Sequence, residues 1–546
     1  MSINYSSKIL NNAVRSLSAQ QAVIASIGNN IANVNTPGYV RRVAQLETAT
    51  QGGNVGIQVG NGVTLAGVTR QVDDYLAQIM RGASSDKNNY GIVNDFMARV
   101  DGLFDLSGNK ETIGSNITAF FQAVNNLSVD PSSIELRRDF IERASDLTSS
   151  IRNTFNSLAD LQHEADDRIR TEVEAVNSIT TQLASLNTDI ARVEAAGGTA
   201  ADQRDQRDVL LQSLSEKVSF TTIDNSDGTK SVFLSNGFAL VNGTHARELE
   251  TTTSPSFVSG PMPPSLWGGI LSHIVYDYAG DSGNSHLDLT QVFKAGSGTV
   301  GGLLSLRGYN DPTNTSPFQA DGTITEIASR IESMTRTLLT SVNFTYLGPD
   351  RDSGTVGHQA SSGDLDGNNP SVFGLFDFTY SGLKDADGDG IPETSDLTAS
   401  GIASFSSILG LSITDPRDVA AARDASSGPP ALAVYAPGDG RNMLALAGLQ
   451  TSNYTFTQGA FSLNTTFDGL YNDTITFAGN AKSRATLNAS VAADSFTVAA
   501  NQYDEVTAVN LDEEFTSLIK FQKAFEASAK MIQKAGDLLE TVVNLI

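Results

Sequence analysis

The chain has no cysteine among its 546 residues, one tryptophan and five histidines. The absence of cysteine excludes disulfides, thiolate metal sites and a cysteine nucleophile. Only 18% of the residues are charged, and acidic residues exceed basic ones so far that the net charge is −25. Because nucleic acids and membrane surfaces are themselves anionic, we expect no nucleic-acid partner and no membrane insertion.

Long apolar runs are also lacking. No stretch is long and apolar enough to span a membrane. Lys8 is not followed by an uninterrupted apolar run, so the sequence predicts no cleaved signal peptide. Neither a Gly-x-Ser-x-Gly elbow, nor a P-loop, nor a His-Glu-x-x-His motif is present. We therefore predict no enzymatic activity, no catalytic residues and no cofactor-binding residues.

Apolar side chains recur every seven residues towards both ends of the chain. The first series is Ile3, Leu10, Leu17, Ile24 and Ile31, with Ile27 and Val34 three residues after members of it. The second series is Leu511, Leu518, Phe525, Ile532, Leu539 and Ile546, with Phe515 four residues after its first member. A sustained period of seven is typical of helices that wind around partner helices. We predict that these residues form a terminal coiled coil and an assembly interface.

Core packing in an ordinary helical bundle would give the same period. The opposite net charges of the two ends favour an assembly interface over ordinary core packing. Residues 1–46 carry four basic residues and no acidic one, whereas residues 501–546 carry eight acidic residues and four lysines.

Between its ends the chain alternates between helical and strand patterns. Residues 40–70 predict extended or hairpin structure, and residues 71–100 predict a helix. Apolar spacings of three and four over residues 112–218 predict two long antiparallel helices followed by a shorter one. Residues 219–300 change to a period of two, which predicts strands. Helix is expected again from about residue 465 onwards, with a candidate break at 493–500.

These patterns predict a multidomain α+β protein. Its terminal coiled coil and long helical bundle would form an inner rod, and β-rich domains inserted in the middle would face outward. We expect four parts: residues 1–40 with 505–546 as the terminal coiled-coil domain, 41–218 with 301–345 and 441–504 as a mainly helical rod domain, 219–300 as a β-rich outer domain, and 346–440 as a variable, loop-rich β insertion or outer subdomain.

The stretch that ends the first helix, residues 29–41, resembles the N-terminal signature of bacterial flagellar axial proteins, which are the rod, hook and hook-associated proteins. Its motif residues are Asn30, Asn33, Asn35, Thr36, Pro37, Gly38 and Tyr39. Further stretches are similar to the hook-associated protein 1 family, whose members join hook to filament. They are residues 202–211, 301–307, 440–446 and 509–515.

This resemblance implies an extracellular structural subunit of the flagellar hook–filament junction, exported through the flagellar type III channel. The implied partners are further copies of the chain in a ring, the hook protein and the second hook-associated junction protein. A cytoplasmic export chaperone would bind the C-terminal segment. No cofactor is required.

One loop matches a calcium-binding pattern. Its candidate ligands are Asp385, Asp387, Asp389, Ile391 and Asp396, at positions 1, 3, 5, 7 and 12 of an EF-hand loop. Closely spaced carboxylates repel one another unless a cation neutralises them, so the loop predicts structural Ca²⁺ binding. A solvated acidic turn is the alternative. Residues 364–369 form a weaker candidate.

Other functions remain open on the sequence alone. A secreted, calcium-stabilised adhesin would use residues 219–440 for binding, but it has no need of the Thr36–Tyr39 motif or the terminal heptads. A secreted hydrolase would need a carboxylate pair or a metal site, and the sequence identifies neither. The flagellar hook protein and the second junction protein are sibling alternatives, and the 202–211 stretch favours the first junction protein over both.

Overall fold

The computed structural model describes residues 2–49, 62–104, 112–253, 265–277, 286–309, 321–347, 362–366, 374–377, 404–423, 436–458 and 461–543. In these residues the chain is a multidomain α+β protein, with long helices towards both ends and small sheets in the middle, as the sequence predicts. It divides into two compact units. The first unit comprises Met1–Lys87, Val176–Arg247 and Ala492–Ile546, and the second comprises Asn88–Ala175 and Glu248–Val491. The four-part division stays a prediction.

The described helices are α1 Ser2–Ala32, α2 Asp74–Asp101, α3 Ile113–Val129, α4 Ile134–Ala195, α5 Ala201–Lys217, α6 Thr290–Ala295, α7 Thr299–Arg307, α8 Thr323–Leu347, α9 Phe405–Ile408, α10 Arg441–Gly448, α11 Phe467–Thr507 and α12 Leu511–Val543.

The described strands are β1 Arg42–Thr48, β2 Val63–Arg70, β3 Thr221–Asp224, β4 Lys230–Phe233, β5 Ala239–Asn242, β6 His245–Ala246, β7 Glu250–Thr252, β8 His273–Asp277, β9 His286–Asp288, β10 Ser362–Gly363, β11 Phe376–Asp377, β12 Gly410–Leu411, β13 Ala422–Arg423, β14 Tyr454–Gln458 and β15 Phe461–Thr465. Strands β3 to β6 form one antiparallel sheet in chain order and β7 to β9 another, so the predicted period-two region does form strands.

Helix α4 is one helix of 62 residues, so the prediction of two long antiparallel helices here is wrong. Residues 159–172 contain neither glycine nor proline, so nothing in them ends a helix. Leu161, Ala165 and Ile169 also keep a buried apolar residue every four positions there. The charges of this stretch also pair one turn apart, as Arg168 Nη2 does with Glu164 Oε1 at 2.8 Å. The helix ends where predicted, with Gly197 at φ +81°.

The predicted break at residues 493–500 is also wrong, because α11 runs through them to Thr507. The chain turns at residues 508–510 instead. There Asn510 Oδ1 accepts a hydrogen bond from the Asp512 backbone N–H at 3.0 Å, which caps α12. Three acidic residues follow in the first turn of α12, where the helix dipole favours negative charge.

In the first unit, the hairpin of β1 and β2 pairs Arg42 with Arg70 in antiparallel register and packs along α1. Helices α1 and α12 pack antiparallel against each other. Their line of contact includes Asn30 with Glu514 and Ser16 with Ser528. The hairpin and the helix pair therefore place both ends of the described chain beside each other.

The second unit contains a buried ion pair between Asp166 of α4 and Arg307 of α7, whose side chains are 0% and 1% exposed. Asp166 Oδ1 also accepts the Ser272 backbone N–H at 3.0 Å. Arg307 Nη1 donates to the Ser272 carbonyl at 2.9 Å, and Gln162 Nε2 donates to the Arg307 carbonyl at 3.0 Å. These groups satisfy one another inside the core, as buried polar groups must.

Candidate assembly site

The motif turn reverses the chain after α1. The Thr36 backbone N–H donates to the Asn33 carbonyl at 2.9 Å, and the Tyr39 N–H donates to the Thr36 carbonyl at 3.1 Å. Proline after Thr36 disfavours helical geometry there, which ends the helix. Gly38 has φ +78°, and a Cβ on it would lie 2.2 Å from Cγ2 of Val209 on α5. Backbone conformation and close packing both require glycine at this position.

Asn30 is the centre of the site. It is 1% exposed. Its Oδ1 accepts from Tyr39 Oη at 2.9 Å and from the Arg42 backbone N–H at 3.0 Å. Its Nδ2 donates to the Arg42 carbonyl at 2.9 Å and to Glu514 Oε2 at 3.2 Å. One fully hydrogen-bonded amide therefore joins the motif turn, the start of β1 and the first turn of α12.

Glu514 is the partner from the other end of the chain, and it is 2% exposed. Its Oε1 accepts from Arg41 Nε at 2.7 Å, and Arg41 Nη1 also pairs with Glu513 at 3.1 Å. The Arg41 backbone N–H donates to the Thr507 carbonyl at 2.9 Å. Arg41 thus holds the start of α12 by its side chain and the end of α11 by its backbone.

Helix α5 contributes a row of acids. Asp202, Asp205 and Asp208 are three residues apart and so share one helix face. Asp205 Oδ1 lies 2.7 Å from Arg70 Nε, and its Oδ2 lies 3.2 Å from Arg42 Nη2. Asp202 also pairs with Arg42, and Asp208 with Arg70. The acids therefore fasten both strands of the hairpin to α5.

Burial governs the electrostatics of this acidic row. It raises the pKa of Asp205, and the pairing with Arg70 and Arg42 only partly offsets that effect. Burial alone would lower the pKa of Arg70, but the pairing with Asp208 and Asp205 outweighs it and raises that pKa. Desolvation also raises the pKa of Tyr39, so its hydroxyl stays a donor to Asn30 at neutral pH. The charged groups of this cluster therefore act as structural contacts between the hairpin and α5.

Three of the resembling stretches meet in this cluster. They are residues 29–41, 202–211 and 509–515, which supply Asn30, the acidic row and Glu514. Sequence reasoning recognised all three stretches but did not assign Arg70, Asp205 or Glu514 to a site. The spacing of the aspartates was a usable signal for one contact face. The stretches at 301–307 and 440–446 belong to the second unit.

The predicted interface residues are mostly half-buried in the single chain. This is true of Leu10, Leu17, Ile24, Ile31, Val34, Leu518, Phe525 and Ile532, whereas Ile27 is buried. In the motif, Asn33 and Tyr39 are half-buried, and Asn35, Thr36, Pro37 and Gly38 are exposed. The side chains of Ile3 and Leu539, and residue Ile546, lie outside the described part of the chain. Whether these residues contact another copy stays a prediction.

Helix α12 also exposes apolar side chains away from α1. Leu511, Phe515 and Ile519, four residues apart, are 39%, 48% and 59% exposed. Met531 and Leu538, nearer its C-terminal end, are 50% and 56% exposed. Clustered apolar side chains on a surface mark a binding face.

The calcium loop, residues 385–396, lies outside the described residues. Of the weaker run, Asp366 pairs with Arg417 Nε at 3.1 Å, which gives its carboxylate a partner within the chain. Among the residues that the structure describes, no group of three or more His, Cys, Asp or Glu side chains could hold a metal ion. None of the described helices is long and apolar enough to cross a membrane.

Family models match three parts of the chain. The model of the flagellar hook-associated protein FlgK helical domain matches residues 97–358. The model of the flagella basal body rod protein matches residues 10–39, and that of the flagellar basal body rod FlgEFG protein C-terminal region matches residues 500–545. The last two models cover most of α1, the motif turn and α12.

Full-length relatives are similar along the whole chain. Flagellar hook-associated protein 1 of Escherichia coli (strain K12) is 25% identical over 574 residues, which cover 99% of this chain and 100% of the relative. Flagellar hook-associated protein 1 of Bacillus subtilis (strain 168) is 25% identical over 559 residues, 98% of this chain and 97% of the relative.

A solved structure shares the fold. The flagellar hook junction protein FlgK from Burkholderia pseudomallei matches with a TM-score of 0.58 at 16% identity, over 78% of this chain and 99% of that chain. Together with the meeting of the three motif stretches at Asn30, the family models and the full-length relatives show that the chain belongs to the flagellar hook-associated protein family.

Proposed function

We propose that the chain is a structural subunit of the bacterial flagellum that forms the junction between hook and filament and polymerises through its terminal helices. The observation that carries this proposal is the buried cluster of Asn30, Arg41 and Glu514, in which stretches from both ends of the chain meet. The cluster holds α1 and α12 together while α12 exposes Leu511 and Phe515. A second copy would cover that face.

The proposed partners follow from the family and from this surface. Copies of the chain would form a ring between the hook protein and the second hook-associated junction protein, outside the cell. Before export, the exposed apolar residues of α12 would need protection from aggregation. This need supports the proposal of a cytoplasmic chaperone that binds the C-terminal segment.

We propose no catalytic role. Strongly buried charged groups, such as Asp166, Arg307 and Glu514, are engaged by partners within the chain. Specificity would lie in the order in which subunits assemble. A purified sample that reproducibly hydrolysed peptidoglycan or peptides would contradict this part of the proposal.

Deletion of the gene tests the proposed function. Electron microscopy of the deletion strain should show hooks without filaments, and filament protein should accumulate in the medium. Expression of the unchanged chain from a plasmid should restore the filaments. A deletion strain with normal filaments would contradict the junction function, and one without hooks would indicate the hook protein instead.

A further inference from the structure

The contact face between α1 and α12 contains a row of residues spaced by seven. On α1 the row is Ser16, Val23 and Asn30, and on α12 it is Glu514, Phe521 and Ser528. Asn30 Nδ2 lies 3.2 Å from Glu514 Oε2, and Ser16 Oγ lies 3.3 Å from Ser528 Oγ. The two contacts are fourteen residues apart on each helix, so they belong to one antiparallel register. We call these six residues the central row.

In this register the central row is polar, apolar and polar on both helices. Asn30 is opposite Glu514, Val23 is opposite Phe521, and Ser16 is opposite Ser528. Asn30, Val23, Glu514 and Ser528 are each at most 5% exposed. Polar residues therefore face polar residues, and apolar residues face apolar ones, along a largely buried row.

The neighbouring apolar residues do not distinguish this register from one displaced by seven residues. Ala19 lies at the level of Phe525 in the observed register and would lie at the level of Leu518 or Ile532 after such a slip. A small side chain would still be level with a large one. Heptad patterns repeat by construction, so apolar contacts alone permit several alignments.

The central row does distinguish them. A slip of seven residues in one direction would bring Val23 opposite Glu514, which would then be buried against an apolar side chain without the Asn30 amide. A slip in the other direction would bring Asn30 opposite Phe521 and Val23 opposite Ser528. A buried charge that loses its partners is strongly destabilising, and a buried amide without hydrogen bonds is unfavourable as well.

We propose that the polar contact between Asn30 and Glu514 sets the register of the terminal helix pair, by disfavouring both alignments displaced by seven residues. The register also fixes the level, relative to α1, at which Leu511, Phe515 and Ile519 are exposed. The use of this exposed face by a second copy is the only part that rests on the proposed function.

Disulfide cross-linking of the full-length monomer tests the proposal. Because the chain has no cysteine, any disulfide must form between introduced residues. Ser16→Cys with Ser528→Cys, at positions whose side-chain oxygens lie 3.3 Å apart, reports the observed register. Ser16→Cys with Phe521→Cys, or with Ala535→Cys, reports a slip of seven residues in either direction. In the otherwise unchanged chain, the first pair should form the great majority of cross-links.

The test variant replaces the polar pair between the helices by Asn30→Leu with Glu514→Leu. The ratio of observed to slipped cross-links should fall by at least about tenfold, given the penalty for burying an unpaired charge. The matched control, Asn11→Leu with Gln522→Leu, changes exposed polar residues on the same two helices and should keep the original ratio. An unchanged ratio in the two-site variant would overturn the proposal.

A milder variant keeps the test decisive if the two-site variant loses helical content. Glu514→Gln keeps the shape of the side chain but removes its charge, and should lower the ratio by about threefold, the scale of one hydrogen bond. No change there would also overturn the proposal. The cross-links are measured on monomers, so a chain that keeps its register but fails to join the flagellum would contradict only the proposed function.

Discussion

Asn30 donates a hydrogen bond to Glu514 across 484 positions of the chain, at 3.2 Å. Both side chains are almost fully buried, at 1% and 2% exposure. Water therefore cannot replace the bond when one partner is removed. The end of the first helix and the start of the last helix depend on each other through this contact.

Asn30→Ala should destabilise the α1/α12 pair by about 1–3 kcal/mol, because Glu514, Tyr39 and the Arg42 backbone each lose a buried partner. Amide exchange of α1 and α12 measures the effect. Trp267 lies in the second unit, 4.6 Å from the His163 ring between centroids, so its fluorescence should report an unchanged melting of that unit. Asn35→Ala, at an exposed position of the same motif, is the control and should change exchange little.

Gly38→Ala should destabilise the first unit, because the residue has φ +78° and its new Cβ would collide with Val209. We expect a loss of about 1–3 kcal/mol from backbone strain, with more from the collision. Val209→Ala in the same chain should recover the stability lost to the collision but not the stability lost to backbone strain, so the rescue should be partial. Gly28→Ala is the control, since nothing lies within 4 Å of its added Cβ. Full rescue by Val209→Ala would show that φ is unimportant.

The second unit should lose stability in acid through Asp166. Burial alone would raise the pKa of Asp166, but Arg307, with hydrogen bonds from Arg170 and Ser272, outweighs it and lowers that pKa. A carboxyl whose pKa is lower in the folded state stabilises the fold above its unfolded pKa of about 3.9. That stabilisation disappears as the pH falls through the folded pKa.

Urea unfolding followed by Trp267 fluorescence at pH 7 and pH 3 checks this prediction. The unchanged chain should lose stability between the two values. Asp166→Asn should be less stable at pH 7, because Arg307 is then buried without its counter-charge, and its own loss between pH 7 and pH 3 should be smaller. Asp167→Asn, beside it at a half-exposed position, should keep the full pH dependence. Equal pH dependence in Asp166→Asn and the unchanged chain would show that Asp166 does not cause the loss of stability in acid.

Local features of the fold were predictable from the sequence. The heptad series predicted α1 and the last helix, and the paired glycines after residue 196 predicted the end of α4. The continuity of α4 was missed, although residues 159–172 lack glycine and proline and keep buried apolar residues at a spacing of four. Helix ends depend on glycine and proline in particular.

Long-range pairing was beyond the sequence. The helical spacing of Asp202, Asp205 and Asp208 could indicate a contact face, but only tertiary structure shows that Arg42 and Arg70 lie on it. Likewise, the most buried residues of α1 include Ala19 and Val23, which belong to neither predicted series. Because α12 packs against the smaller side chains of α1, the larger heptad residues of α1 lie beside the contact and stay half-buried.

Leu17→Asp or Phe525→Asp should block assembly into the flagellum while the second unit melts as before. Both side chains are half-buried in the single chain, so a charge there remains partly solvated in the monomer. In the assembled state a second copy would bury it, and an unpaired buried charge is strongly unfavourable. The strain should therefore form hooks without filaments, as we expect of the gene deletion. Gln522→Asp, an exposed position on the same helix, should restore filaments. If Phe525→Asp also assembled normally, the half-buried face of α12 would be excluded as the interface.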